Sequence, residues 1–300
     1  MVTDPRLEKV LETLWPARRP ALSPITSGIT NANVKVEVDG EAFVVRLPGV
    51  DTEVLGIDRR AELEAARVAA AAGVGPGVVD LVEGCLVTRF VTGEPIPEAD
   101  LQRQDVLASV VRSIRTIHAG PPIASTFPVF RIVERYRDLA AERGVAIPEA
   151  YASAHQRAAE IERVIEASPL LVATCHNDLL NANFLKDGDH VWIVDYEYAG
   201  MGDPFFDLGN FSINNGLNEE AQELLLRFSF GEVRDAHRAR LGLMRVMSDF
   251  REAMWGVLQQ GLSALDFDYV GYADRHFRRL EATAADERFT RWLADAEEPP

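Results

Sequence analysis

Residues 173–185 read ATCHNDLLNANFL, and residues 193–198 read IVDYEY. They set His176, Asp178, Asn183, Asp195 and Glu197 beside apolar runs, where a packed core would exclude such groups unless each is paired or used. The intervals are informative. Asn183 follows Asp178 by five positions, and Asp195 follows Asn183 by twelve, at the end of the apolar run Val191–Val194. Such a run reads as a strand that presents Asp195 at its mouth, and Glu197, two residues on, points the same way in extended chain. A His-x-Asp with an asparagine five residues after the aspartate has the spacing of a kinase catalytic loop, where the aspartate faces a hydroxyl and the asparagine a metal. The stretch predicts a strand-and-loop insert over 170–210 that carries the chemistry of the chain.

The flanks of the insert read differently from the start of the chain. Helical spacing runs through 101–120 and near 131–143 and 149–167, and resumes from about 219, most clearly in the helix 244–260. The N-terminal part is instead punctuated by turns. Val34, Val36 and Val38 alternate, Asp39-Gly40 turns the chain, and Phe43, Val45 and Leu47 alternate back as a hairpin. A helix follows, opened by the N-cap candidate Asp58 and stopped at Gly73. Two further apolar runs, GVVDLV and CLVTRF, flank Glu83-Gly84 as a second hairpin. Gly93, Pro95 and Pro97 then interrupt every pattern, which sets a lobe boundary there. The expected fold class is α+β: a protein-kinase-like two-lobed fold, with a small antiparallel β lobe containing one helix (1–92) and a larger, mainly helical lobe (93–300).

Bulk composition narrows the partners. The chain has 300 residues, 47% of them hydrophobic, enough for two lobes, and no repeats. With 47 acidic against 31 basic residues the net charge is -16, which repels phosphate backbones and anionic lipid, so neither nucleic acid nor membrane is an expected partner. No stretch approaches the ~20 apolar residues of a membrane span. The only cysteines, Cys85 and Cys175, sit in apolar segments, which points to a reducing, cytoplasmic setting.

Moving a phosphoryl group from ATP to an alcohol requires a carboxylate near the hydroxyl proton, oxygen ligands for Mg2+, cations for the phosphates and a covering loop. The insert offers the first two, with hard oxygen donors that suit Mg2+ rather than zinc. For the loop, ITSGITNAN (25–33) places Ser27, Gly28 and Asn31 before the Val34 strand, where backbone N–H groups can meet phosphate. Arg46 stands on the strand face opposite Phe43, Val45 and Leu47, and Glu62 or Glu64 on the next helix is placed to pair with it. GVGPG at 73–77 lacks the third glycine of a nucleotide motif and reads as a helix stop and turn.

CHNDLLNANFL (175–185) followed by IVDYEYAGMGDPFFDLGNF (193–211) closely resembles the paired motifs of the choline/ethanolamine kinase family, within the aminoglycoside-phosphotransferase-like kinases. The likeness extends to RLPG (46–49), GVGP (73–76) and SALDFDYVGYADRHF (263–277), and contributes little over 98–168. The resemblance implies that Asp178 is the catalytic base, that Asn183 and Asp195 bind Mg2+, and that Glu197 is a further metal-site carboxylate. It also implies that Arg46 takes the place of the protein-kinase lysine, with Glu62 rather than Glu64 as its partner. His176 is expected to shape the loop through backbone hydrogen bonds, and Asp207 to tie it down. Trp255, Tyr272 and Tyr198 match positions from which the family draws its aromatic cage for an ammonium group.

Two departures bear on the substrate. Eukaryotic members carry a second tryptophan where this chain has Glu252, and an acidic residue where it has Asn214. Glu252 either shifts preference towards an N–H-bearing amine or replaces the charge missing at Asn214. Its spacing puts Glu252 with Ser248, Trp255 and Gln259 on one polar side of the 244–260 helix, opposite an apolar stripe of Met247, Phe250, Met254 and Leu258. The expected partners are ATP and a small amino alcohol, choline or ethanolamine. The alternatives are an aminoglycoside, thiamine-like or sugar acceptor on the same machinery, a metal-dependent hydrolase, or a nucleotide-binding protein without catalysis.

Overall fold

The computed structural model describes residues 4–25, 31–49, 52–168, 171–263 and 265–300. Ser27 and Gly28 lie outside them. The chain opens with α1 (Pro5–Leu14), whose N-cap Asp4 accepts from Arg6 N. Strands β1 (Ala21–Ile25), β2 (Ala32–Val38) and β3 (Glu41–Leu47), helix α2 (Arg59–Ala71), and strands β4 (Val78–Val82) and β5 (Cys85–Arg89) follow. The strands form one antiparallel sheet in the order β1-β2-β3-β5-β4. Asp39 (φ 53°) and Gly40 (φ 83°) both take the left-handed conformation that a two-residue hairpin turn demands.

The N-terminal lobe has one helix more than expected. Leu7 and Val10 of α1 are buried with Val34, Val36, Phe43, Val45 and Leu47 in a small separate core, so α1 covers the apolar face of the sheet. The other face, with Val44 and Arg46, is left to the crevice between the lobes. Leu7 and Val10 cannot fold as an isolated ten-residue helix, and the sheet beneath supplies what propensity lacks.

Past Arg89 the short β6 (Glu94–Pro95) pairs with β8 (Phe184–Asp187), so the chain has already joined the second lobe there. That lobe contains α3 (Gln104–His118), α4 (Val129–Glu142) and α5 (Ala150–Glu166), followed by β7 (Ala173–Cys175), β8 (Phe184–Asp187), β9 (His190–Ile193) and β10 (Gly200–Gly202). Helices α6 (Pro204–Asn214), α7 (Glu219–Phe230), α8 (Asp235–Leu262), α9 (Tyr269–Ala284) and α10 (Phe289–Asp295) complete it. The insert thus holds a helix of its own: Asp203 caps α6 by accepting from Phe205 N, and Pro204 takes its first turn. No helix of the described residues is long and apolar enough to cross a membrane.

Helix α8 differs from expectation too. It begins at Asp235 rather than 244 and is buried on every side, Ser248, Glu252, Trp255 and Gln259 included. Helices α4, α6, α9 and α10 enclose it. Gly209 lets α6 close on it, since a Cβ there would lie 2.7 Å from Met244 C and 2.9 Å from Arg245 N. Gly209→Ala is therefore expected to cost about 1–3 kcal/mol, the usual scale of overpacking, visible as a lowered urea midpoint with an unchanged slope.

Candidate active site

The loop after β7 is held by side chains from other elements. Asp207 of α6 accepts from His176 N (2.9 Å) and Asn177 N (2.6 Å), and it also bonds His118 Nε2 (2.8 Å). Burial works to raise this carboxyl, and the His118 bond overcomes it, holding Asp207 below the usual range. Asn210, one turn on, accepts from Leu179 N at 2.6 Å and donates to Ser248 Oγ at 3.1 Å. His176 is fully buried, and burial lowers its pKa. The neutral ring with its proton on Nε2 satisfies both contacts, donating to Val194 O (3.0 Å) and accepting from Asp178 N at Nδ1 (3.2 Å). Asn177 (φ 66°) turns the chain so that Asp178 leaves the wall, and Asn183 Nδ2 donates to Asp178 O (2.8 Å), reserving its Oδ1 as an acceptor.

Across the crevice, Asp195, itself at φ 73°, stands two residues past the end of β9. Its Oδ1 bonds Arg46, whose Nη1 also lies 3.0 Å from Glu62 and 3.9 Å from Glu197. Burial works against the Arg46 charge, but Asp195, Glu62 and Glu197 outweigh it and raise the guanidinium above its ordinary value. Glu64, the other possible partner, instead accepts from Ala124 N. Asn31 Nδ2 donates to Glu197 (2.9 Å). Ile193 N donates to Val74 O (2.8 Å), a backbone bond that joins this strand to the first lobe.

Sequence reasoning missed Arg59, which bonds Glu62 (2.7 Å), Glu197 (3.3 Å), Asn31 (3.2 Å) and Thr52 (3.0 Å). It stands directly after the cap of α2, where it looks like any first-turn surface residue.

The donors suit a hard divalent cation. Asn183, Asp195 and Glu197 offer amide and carboxylate oxygens and no sulfur or imidazole. Burial, then Asp195, pushes Glu197 up to about 7, and burial pushes Asp178 up to about 8 against the pull of Arg251. A second metal-like grouping, His118, Cys175 and Asp207, is a structural joint instead. The Asp207 oxygens are already engaged, and burial pushes the Cys175 thiol well up.

Beside Arg46 and Asp195 a cavity of about 280 Å³ runs between the lobes, walled by Val44, Ala66, Leu86 and Leu185 and reaching the chain at Val91. Its apolar walls and charged end suit a flat base with phosphates attached. These walls come from β3, α2, β5 and β8, so no local pattern announced them.

On the other side of Asp178 lies the group read from α8 and α9. Arg251 Nη1 is 3.2 Å from Asp178 and 2.7 Å from Glu252, and its guanidinium stacks 4.2 Å over the Tyr198 ring. Glu252 also accepts from Tyr272 OH (2.7 Å), and Trp255 Nε1 donates to Tyr198 OH (3.1 Å). Burial works to raise Glu252, and Arg251 overcomes it, so the carboxyl stays below the usual range. The Trp255 and Tyr272 rings meet edge to face at 5.5 Å. Arg251 was missed, although an Arg-Glu pair in the middle of an apolar helix is a signal of buried charge. Asn214 sits elsewhere, accepting from Arg279 (2.7 Å) beside Asp249.

The family model for choline/ethanolamine kinases matches residues 22–225. Protein LicA of Haemophilus influenzae is 27% identical over 215 residues, covering 70% of this chain and 63% of its own length. Ethanolamine kinase 2 of Rattus norvegicus is 27% identical over 308 residues, covering 91% of this chain and 79% of its own. Among solved structures, a choline/ethanolamine kinase family protein from Mesorhizobium loti superposes with a TM-score of 0.84 at 30% identity, covering 97% of this chain and 98% of its own.

Proposed function

The chain belongs to the choline/ethanolamine kinase family, and from that premise we propose that it transfers the γ-phosphoryl group of ATP to the hydroxyl of a small amino alcohol, choline or ethanolamine. The observation that carries this reading is Asp178 standing between two sets of groups, with Asn183 on its loop and Arg251, Glu252 and the Tyr198–Trp255 pair behind it.

In this mechanism Asp178 orients the substrate hydroxyl and accepts its proton. Arg251 holds the Asp178 carboxylate in place by charge. Arg46 and Arg59 meet the phosphates, and Glu62 keeps both guanidiniums aimed. Asn183, Asp195 and Glu197 would hold Mg2+, which supplies charge neutralisation on the transferring phosphoryl group. Two buried free thiols suit a reducing cytoplasmic setting.

The family match ends at residue 225, before α8 and α9, so the choice of acceptor rests on Glu252, Trp255 and Tyr272 themselves. The test is a comparison of kcat/KM for choline, ethanolamine, the neutral isostere 3,3-dimethylbutanol and kanamycin. The charged amino alcohols are expected to lead, with Trp255→Ala raising their KM about tenfold, the scale of a desolvated cation–π contact. Equal turnover of the neutral alcohol, or kanamycin far ahead of either amine, overturns the amino-alcohol reading and leaves only the kinase. For the nucleotide side, Arg46→Ala is expected to raise the KM for ATP about tenfold or more while leaving that of the alcohol alone, which steady-state kinetics reads directly.

A further inference from the structure

Away from these residues, α6, α7, α8, α9 and α10 enclose a cavity of about 870 Å³ that shares no lining residue with the phosphoryl-transfer site. Its walls carry five arginines, and four are answered by carboxylates. Arg238 pairs with Glu223 (2.9 Å), Arg288 with Asp286 (2.7 Å), Arg291 with Asp235 (3.1 Å), and Arg279 with Asp249 (2.6 Å). Arg245 is the exception: it donates to Ser212 Oγ at 2.8 Å, and no carboxylate among the described residues lies within ion-pair distance. Asp249, the nearest candidate, is committed to Arg279 and to His276 at 2.7 Å.

An uncompensated guanidinium that is mostly out of water costs several kcal/mol in general, so a fold keeps one where an anion comes to it. Burial depresses Arg245; the field of Asp249 pulls the other way, while those of Arg279 and Arg288 add to the depression, so three cations share one corner of this cavity. Besides the arginines and the carboxylates Glu219, Glu223, Asp235, Asp286 and Asp295, the wall has an apolar part, Leu226, Leu241 and the Trp292 ring, which packs so closely on Gly242 that a Cβ there would lie 2.8 Å from it. A guanidinium fork without a carboxylate matches a phosphate group, and an aromatic floor matches an organic body.

We propose that this cavity is a second ligand site, for a small organic phosphate monoester whose phosphate meets Arg245, in the field of Arg279 and Arg288, and whose body lies on Trp292. A dianion answers the shared field of the arginines better than a single carboxylate does. The volume exceeds what inorganic phosphate alone needs.

Isothermal titration with phenyl phosphate, inorganic phosphate and benzoate tests this, with AMP-PNP and Mg2+ present throughout to occupy the phosphoryl-transfer site. Phenyl phosphate is expected to bind saturably, more tightly than either other probe. Arg245→Gln is expected to weaken it tenfold or more, with Arg245→Lys recovering part of the loss. Should Arg245→Gln fail to fold, Ala282→Glu, at the exposed lip, brings a negative charge without disturbing the core and is expected to weaken binding severalfold. Absence of saturable binding, equal binding by the variants, or benzoate as tight as phenyl phosphate overturns the assignment.

Discussion

Asp178→Ala is expected to lower kcat at least about a hundredfold while ATP binding and the unfolding midpoint stay near those of the parent, because general-base and positioning effects have that size. The separation between turnover and folding follows from where the side chain points. The fold uses Asp178 through its main chain, with N donating to His176 and O accepting from Asn183, whereas among the described residues its carboxylate meets only Arg251. Removing the carboxylate leaves Arg251 its partner Glu252 at 2.7 Å, so no buried cation is orphaned. Asp178→Asn keeps a hydrogen-bond acceptor and loses the proton acceptor, so it separates orientation from base catalysis. Turnover of Asp178→Ala equal to that of the parent, measured with the best acceptor, overturns the mechanism.

The second large effect is expected at Asp195. Asp195→Ala should abolish the part of ATP binding that depends on Mg2+, so that titrations with the metal and with EDTA coincide. Two consequences compete in that variant. A metal ligand is lost, and Arg46 is released from its bond to Asp195 while keeping Glu62 at 3.0 Å. The freed guanidinium can hold phosphate by charge, so the metal-independent binding should be retained or slightly strengthened. A clear Mg2+ dependence surviving in Asp195→Ala removes the metal role proposed for this residue.

Much of this was legible in the chain because the relevant physics is local. Asp39-Gly40 and Glu83-Gly84 announce hairpins by turn chemistry, and both pairs have positive φ. Asp58 announces α2 by its cap, and accepts from Arg60 N as such a residue should. Asp178, Asn183 and Asp195 fall within one loop and one strand end, so their spacing carries information. What was hidden depends on partners distant in sequence. Helix α1 exists because the sheet needs a cover, and the supposed polar side of α8 is buried because four helices surround it. Arg59 looks like an ordinary helix-surface cation until Glu197, lying 138 positions away, arrives beside it, and the charge at Arg251 finds its use only when Asp178, lying 73 positions away, is brought to it.

The Asp207 carboxylate also divides the site by timescale. The amides of His176 and Asn177 donate to a side chain that is 1% exposed, on a helix locked to α8 at Gly209. Neither can meet solvent until that whole packing opens, so their hydrogen exchange should be as slow as global unfolding allows. The amide of Gly49, on the nucleotide side, has a single 3.4 Å bond to Asn31 Oδ1 and should exchange through small local openings. The loop proposed to accept the proton thus keeps its shape over the lifetime of the folded molecule, while the edge proposed to meet the nucleotide is renewed many times within it.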